Sequence, residues 1–442
     1  MLQLPQQVET ALRRLNDAGY EAYIVGGCVR DALLGRTPGD YDITTSALPE
    51  ETEAVFAGER VIETGLQHGT VTVLLSGAPL EITTFRIDGD YSDARHPDGV
   101  TFTRTLAEDL ARRDFTVNAM AADRSGEIVD LYGGKDDLSA KVIRCVGDPD
   151  TRFTEDALRI LRALRFAAVL DFEIEPATAA ALRQKRHLLR FVSAERIREE
   201  LTKLLCGTAM RRVMLDYADV LEEVLPEISA SIGFMQHHPC HIYTVYEHCL
   251  AAAENVPPEP LLRWTMLLHD LGKPLIYTTD PDGIHHYYGH AARSAELAAA
   301  VLSRLKFDTA SRERILLLVR IHDRQIEPTV PAVKRALWKL TPEVFDQLIA
   351  IKRADNFAQS PSIRERQSYY DELERIAAEI LAEKACFSLR DLAVSGDDLL
   401  ALGIPKGPEI GKTLALALDA VIDGKAENEK TALLDYLKKE AF

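Results

Sequence analysis

An α/β head followed by a long, mostly α-helical remainder is the fold class this sequence predicts, and three observations predict it. At 442 residues the chain exceeds what one ordinary core serves, so several domains are expected. Up to about residue 147, apolar runs of strand length alternate with brief helical stretches and Gly-rich turns, whereas from about Thr154 helical periodicity is nearly continuous. Between the two textures stands Gly147-Asp148-Pro149, turn chemistry suited to a hinge.

The elements follow in order. Val8, Leu12 and Leu15 have helical spacing, and Gly19 is a stop signal. Apolar runs at 22–25, 71–75, 80–85 and 128–131 read as strands, and "GGCVRDALLG" after the first of them reads as a glycine turn into a helix starting near Val29. Gly233 to Pro239 separates a first helical section from a His-rich one. After Cys386, "GIPKGPEIG" places Gly403, Gly407 and Gly411 in a turn between helices. The expected domains are a head at 1–147, a helical neck at 148–232, a His-rich helical body at 233–385 and a helical tail at 386–442.

Composition narrows the class. A chain with 46% hydrophobic and 27% charged residues is that of a soluble globular protein. The N-terminus lacks the apolar run of a signal peptide, and no uninterrupted 18-residue apolar stretch occurs, so no membrane role is expected. Six scattered cysteines without a CxxC pair point to reduced thiols and a cytoplasmic location. A net charge of −17 argues against indiscriminate nucleic-acid binding. A dense run of Arg and Lys from Arg152 to Arg212 is compatible with the solvated face of helices and equally with a phosphate-tracking surface.

"GDYDITT" (39–45) places Asp40 and Asp42 one residue apart where a strand begins, so both carboxylates are expected on one face with Tyr41 turned away. A Gly-Asp turn explains the pair blandly. A divalent cation such as Mg²⁺ explains it chemically, since adjacent carboxylates repel without one. Glu81 in "PLEITTF" decides between them: three acids on neighbouring strands, where acids are depleted, suit a metal pair that clamps an attacking and a leaving oxygen.

These residues carry a resemblance. GGCVRD (26–31), GDYD (39–42), Glu81 and ARRDFTVNAM (111–120) resemble the polymerase-beta-like nucleotidyltransferases, in the bacterial branch of tRNA CCA-adding enzymes and poly(A) polymerases. The likeness is strong over residues 1–225. It implies a mixed sheet with helices in the head, catalytic metal on Asp40, Asp42 and Glu81, and a nucleotide pocket built with Gly26, Gly27, Arg30, Arg113, Asp114 and Asn118. The segment "RIDGDYSDARHPDG" (86–99) resembles the flexible loop needed to add the terminal A, and "ETGLQHGTV" (63–71) looks like the CCA-adding form of its strand.

In the neck, "TEDALRILRALRF" carries Glu155, Asp156 and Arg159. If helical, Asp156 and Arg159 share a face, and an ordinary surface ion pair is the plain reading. Cytosine and adenine each set an amino donor beside a ring-nitrogen acceptor, and guanine and uracil reverse this. A carboxylate beside a guanidinium therefore accepts C and A and rejects G and U. The resemblance implies this template role for Asp156 and Arg159, support of Arg159 by Glu155, and further nucleotide contacts from Arg162 and Arg165.

The His-rich body holds His248, then His269-Asp270, His290, His322 and Asp355. One histidine on an apolar helix is usually packing; the ordered set suits a transition metal. It resembles the HD phosphohydrolase superfamily, which implies metal on His248, His269, Asp270 and Asp355, with His290 and His322 matching extra ligands of two-metal members. The expected activity is template-independent addition of CCA to the tRNA acceptor arm from CTP and ATP, with hydrolysis of phosphates at RNA 3′ ends as an added activity. An A-adding enzyme, a poly(A) polymerase and a chain that is mainly an HD phosphohydrolase stay open as alternatives.

Overall fold

The structure, a computed structural model, describes residues 2–66, 69–88 and 100–441. In it the chain divides into two units, Met1–Pro226 with Arg304–Lys306, and Glu227–Ser303 with Phe307–Phe442. Among the described residues no helix is long and apolar enough to cross a membrane, and all six cysteines are free thiols.

The first unit opens with helix α1 (Gln6–Asp17), whose Val8, Ala11, Leu12 and Leu15 form one buried face. Strand β1 (Ala22–Val25) follows, then α2 (Gly27–Leu33), β2 (Ile43–Thr45), α3 (Pro49–Val55), β3 (Arg60–Gly65), β4 (Thr70–Leu75) and β5 (Ala78–Thr84). Strands β6 (Arg86–Asp88) and β7 (Val100–Phe102) pair as a separate ribbon before α4 (Leu106–Ala111), β8 (Met120–Ala122), β9 (Ile128–Asp130) and α5 (Gly134–Ala140). Among the described residues the main sheet runs β3-β4-β5-β2-β1-β8-β9, and it is mixed: β2 and β5 are parallel and the other neighbours antiparallel. The alternation in TVTVLL buries Val71, Val73 and Leu75 on one face of β4, as a one-sided strand requires. Residues 89–99 of the expected loop, and Gln67 and His68 of "ETGLQHGTV", lie outside the described residues.

After the short strand β10 (Val142–Ile143) the unit becomes helical, with α6 (Pro149–Glu155), α7 (Leu158–Leu170), the short strand β11 (Glu173–Ile174), α8 (Pro176–Lys185), α9 (Ala194–Leu205), α10 (Met210–Asp216) and α11 (Ala218–Leu221). Asp148 caps α6 by accepting the Thr151 N–H at 2.9 Å, with Pro149 at the first helical position, so the expected turn is a helix start. Helix α7 buries residues all round, including Leu161, Leu164 and Phe166, because it is packed on several sides. Strands β10 and β11 pair in parallel and tie the end of the head to the helices.

The second unit is helical: α12 (Val245–Glu254), α13 (Pro260–Leu268), α14 (Lys273–Ile276), the β12 (Thr278–Thr279) and β13 (His285–His286) hairpin, α15 (His290–Arg304), α16 (Thr309–Ile321), α17 (Val330–Leu340), α18 (Pro342–Phe357) and α19 (Gln367–Ala382). Trp264 and Phe345 lie fully buried in its core. Helices α20 (Gly396–Ala401), α21 (Pro408–Ile422) and α22 (Lys430–Ala441) close around Val394, Leu399, Ile404, Ala417, Leu433 and Leu437. The glycine-rich turn stands between α20 and α21, with Gly403 and Gly407 at positive φ.

Candidate functional site

The end of β1 shapes the first site. Gly26 holds φ +81, and a Cβ there would lie 3.0 Å from Arg113 Nη1, so only glycine gives both the backbone and the space. Its N–H donates to the Met120 carbonyl at 3.1 Å. Helix α2 starts at Gly27, two residues earlier than expected.

Asp40 and Asp42 precede β2 instead of lying on it, which corrects the sequence expectation. The ladder explains why they still converge. The Val25 N–H donates to the Asp42 carbonyl at 3.0 Å, extending the β1–β2 pairing by one bond. The parallel register Ile43 to Ile82 places Asp42 beside Glu81, and with Ile43 and Ile82 buried, the two carboxylates project to the opposite face. Asp40, Tyr41, Asp42 and Glu81 line one pocket of about 400 Å³. Tyr41 is therefore not turned away, because no pleat exists there to turn it.

Asp42 is open to this pocket, yet the surrounding protein withdraws enough water to raise its carboxyl above the usual range. The Asp40 charge adds to the rise, Arg113 opposes it, and Glu81 adds again. A hard cation relieves that repulsion, so the donor set fits Mg²⁺. The trio is looser than a closed cage: among the described residues, the groups whose donor atoms all lie within 4.8 Å of one another are in the second unit.

Behind the carboxylates runs a buried network. Asp114 accepts from the Phe115 N–H at 2.8 Å, from Asn118 Nδ2 at 3.1 Å and from Arg162 Nε and Nη2 at 2.8 and 2.6 Å. Burial alone would raise its carboxyl; Arg162 and Asn118 outweigh burial and hold it at about 2. Arg30 donates to Asn118 Oδ1 at 2.6 Å and pairs with Asp31 at 2.9 Å. The guanidiniums of Arg30, Arg162 and Arg165 stand 5.0, 5.3 and 3.8 Å from the Phe166 ring centre, a cation–π cluster joining head to α7. Arg165 pairs with Glu200 at 2.5 Å. Arg30, Asp114, Asn118, Arg162 and Arg165 thus form a wall of mutual partners, while Arg113 pairs with buried Asp109 at 3.5 Å and acts on Asp42 through charge.

The neck residues differ from the expected helix face. Asp156 ends α6 in an extended conformation and accepts the Leu158 N–H at 3.0 Å, so it stands between α6 and α7 and is not inside a helix. It pairs with Arg196 at 2.9 Å. Arg159 is held by Glu155 at 2.5 Å and by the carbonyls of Arg152 and Arg112 at 3.1 and 3.0 Å, and Glu155 also takes Arg152 at 2.8 Å. A cleft of about 280 Å³ is lined by Ile87, Glu108, Ala111, Arg112, Arg152 and Glu155. Many cations of the Arg-rich run are ion-paired in this way, among them Arg183, Arg186 and Arg212.

The second unit gathers all six residues of its expected set. A capping box, Thr244 with Glu247, starts α12 at Val245, three residues before His248. His269 ends α13 with Asp270 beside it, and the following Gly272 packs so close to α15 that a Cβ would lie 2.6 Å from the Ser294 nitrogen. Each histidine Nδ1–H donates to a backbone carbonyl: His248 to Ala358, His269 to Met266, His290 to Tyr287 and His322 to Val319, at 3.2, 2.7, 2.8 and 2.7 Å. That fixes the tautomer and turns four Nε2 lone pairs inward.

Those lone pairs converge on one carboxylate. His248 and His269 Nε2 lie 3.2 and 3.3 Å from Asp270 Oδ2, and 2.9 and 3.6 Å from Asp355 Oδ1. His290 and His322 Nε2 lie 3.3 and 3.5 Å from Asp270 Oδ1 and 3.1 Å from each other. His248 Nε2, His269 Nε2 and Asp270 Oδ1 are buried with no hydrogen-bond partner among the described residues. Lone pairs facing carboxylates repel unless cations lie among them. The donor set of imidazoles and carboxylates fits a transition metal, which His248, His269, Asp270 and Asp355, with His290 and His322, would hold.

Several participants were missed in the sequence. Asp109, Arg196 and Glu200 are the partners of Arg113, Asp156 and Arg165. Their signal was only the surplus of nearby opposite charge, which does not say who pairs with whom.

A family model described as "Poly A polymerase head domain" matches residues 22–144, a "Probable RNA and SrmB- binding site of polymerase A" matches 171–232, and a tRNA nucleotidyltransferase domain 2 model matches 290–437. A CCA-adding enzyme of Lactobacillus delbrueckii subsp. bulgaricus is 35% identical over 438 residues, 98% of this chain and 97% of the relative. One of Geobacillus thermodenitrificans is 36% identical over 442 residues, 99% and 97% of the two chains. The crystal structure of the Bacillus stearothermophilus CCA-adding enzyme in complex with CTP superposes with TM-score 0.77 at 31% identity, covering 99% of this chain and 98% of that one.

Proposed function

The chain belongs to the CCA-adding enzyme family, and on that premise we infer that it adds C, C and A to the 3′ end of tRNA from CTP and ATP without a nucleic-acid template. One observation carries the chemistry: the β2–β5 register sets Asp42 beside Glu81 on the pocket face, with Asp40 in the same pocket. The tRNA 3′ oxygen attacks the α-phosphorus, a new P–O bond forms, the bond to pyrophosphate breaks, and the hydroxyl proton leaves to solvent. Asp40, Asp42 and Glu81 would hold Mg²⁺, which supplies charge neutralisation on both oxygens. Arg113 sets positive charge beside them, and the Asp114–Arg162 network holds the pocket wall in place. Asp156 and Arg159 read the base; Asp156 exchanges Arg196 for the amino group of C or A.

As an added activity the second unit would hydrolyse phosphate esters at RNA 3′ ends, with a metal that His248, His269, Asp270 and Asp355, with His290 and His322, would hold to activate water. Water adds to phosphorus, the ester P–O bond breaks, and the alcohol leaves with a proton. Free thiols and the absence of a membrane-length helix among the described residues support a cytoplasmic enzyme.

The test uses three tRNA transcripts, ending before CCA, after C and after CC, with single nucleotides and the CTP/ATP mixture. Two C additions, one A and a stop are expected. A on the CC-ending transcript alone, or long A tails, would replace this reading with an A-adding enzyme or a poly(A) polymerase.

A further inference from the structure

Beside the proposed metal centre lies a cavity of about 290 Å³ whose walls are not all accounted for by the ligands. Lys352 is one of them. It stands on α18 one turn before Asp355, so both point the same way. Only 6% of the residue is exposed, it lines the cavity, and its ammonium has no hydrogen-bond or ion-pair partner among the described residues. Lys273, by contrast, is committed to Asp270 at 2.6 Å and Gln236 at 3.0 Å. A buried ammonium without a counter-ion is costly, and burial pushes Lys352 down to about 8 against the pull of Asp355 and Asp323. A second orphan lines the same cavity: His241 Nδ1 is buried with no hydrogen-bond partner among the described residues. Both polar groups point to something that brings its own negative charge.

We propose that Lys352 and His241 form the anion-recognition wall of this cavity and hold the terminal phosphoryl group of a phosphate ester against the metal ligands. Lysine contributes a point charge and His241 a hydrogen bond, with exposed Arg366 at the rim. The substrate class is thus an ester with a terminal or cyclic phosphate, whose oxygens reach the cation wall and the ligand cage together. This rests on the metal-centre reading given above.

The experiment uses the full chain, stripped with chelator, reloaded with Mn²⁺ and titrated calorimetrically with inorganic phosphate. The titration is repeated in H269A to subtract binding at the head pocket. K352M, which keeps the aliphatic bulk, and K352Q as a second neutral variant are expected to weaken phosphate binding by about 10-fold to 100-fold. Mn²⁺ content is expected to stay unchanged, and K352R to retain most of the affinity. Normal Mn²⁺ uptake with unchanged phosphate affinity in both neutral variants overturns this inference alone, as does a loss of Mn²⁺ in them, which would make Lys352 part of the cage. A wild-type second unit that takes up no Mn²⁺ overturns the metal reading and this inference with it.

Discussion

Replacing Asp114 by Asn removes a charge without changing shape, so the loss measures the network around the nucleotide pocket. Asp114 is 8% exposed and accepts four hydrogen bonds, two of them from Arg162. Its carboxyl is held at about 2 against an ordinary 3.8, a gap of just under two units, worth about 2.5 kcal/mol. Because the folded value is depressed, that stability is fully present above pH 3.8 and is lost as pH falls through about 2. Breaking a fully buried pair costs about 3–5 kcal/mol, but the Arg162 side chain is 33% exposed, so water softens the loss toward the lower figure. The assay is urea unfolding followed by far-ultraviolet circular dichroism at a series of pH values. Tryptophan fluorescence would not serve, since Trp264 and Trp338 both belong to the second unit. The difference between wild type and D114N should be flat from pH 7 to about 4.5 and shrink below that. A difference under about 0.5 kcal/mol at pH 7, or one that does not shrink in acid, would refute the reasoning.

Three other outcomes are expected. D42N should abolish nucleotide addition while tRNA affinity by filter binding stays within about twofold, since Asp42 serves the reacting oxygens and not the RNA; residual addition near the wild-type rate would remove it from the catalytic set. R159A should lower the preference for CTP and ATP over UTP and GTP by about 10-fold to 150-fold, read as ratios of kcat/KM, because a lost guanidinium–base hydrogen bond to a charged donor is worth about 1.5–3 kcal/mol; an unchanged ratio would contradict the template role. In chelator-treated protein, burial lowers the His248 and His269 pKa values, and contact with Asp270 and Asp355 outweighs it and raises them above 6.5. The stability they give is therefore present below pH 6.5 and lost as pH rises through the raised values, so the melting temperature of the second unit should fall from pH 6 to pH 9. Added Mn²⁺ should reverse the trend, because metal competes with those protons; a melting temperature indifferent to pH and metal would discredit the centre.

The sequence by itself determined the α/β head, the helical remainder and the identity of the chemical groups. Period-2 alternation in TVTVLL, helical spacing in the first turns and the order of His248, His269-Asp270, His290, His322 and Asp355 are local or ordinal signals, and a sequence displays both. Local geometry inferred from spacing was less secure. The Asp40–Asp42 pair and Asp156 were expected on regular elements, and each lies at an element's edge, where a main-chain ladder or a cap decides the conformation. Only the tertiary structure decided the pairings. Glu81 meets Asp42 through a parallel register between strands 39 residues apart in sequence, Arg196 takes Asp156 across the neck, and four imidazoles turn their Nε2 atoms to one carboxylate because each Nδ1 finds a carbonyl. Charges of opposite sign are interchangeable in a sequence. Which of them meet depends on register, burial and the few backbone groups left to satisfy, and those exist only once the chain has folded.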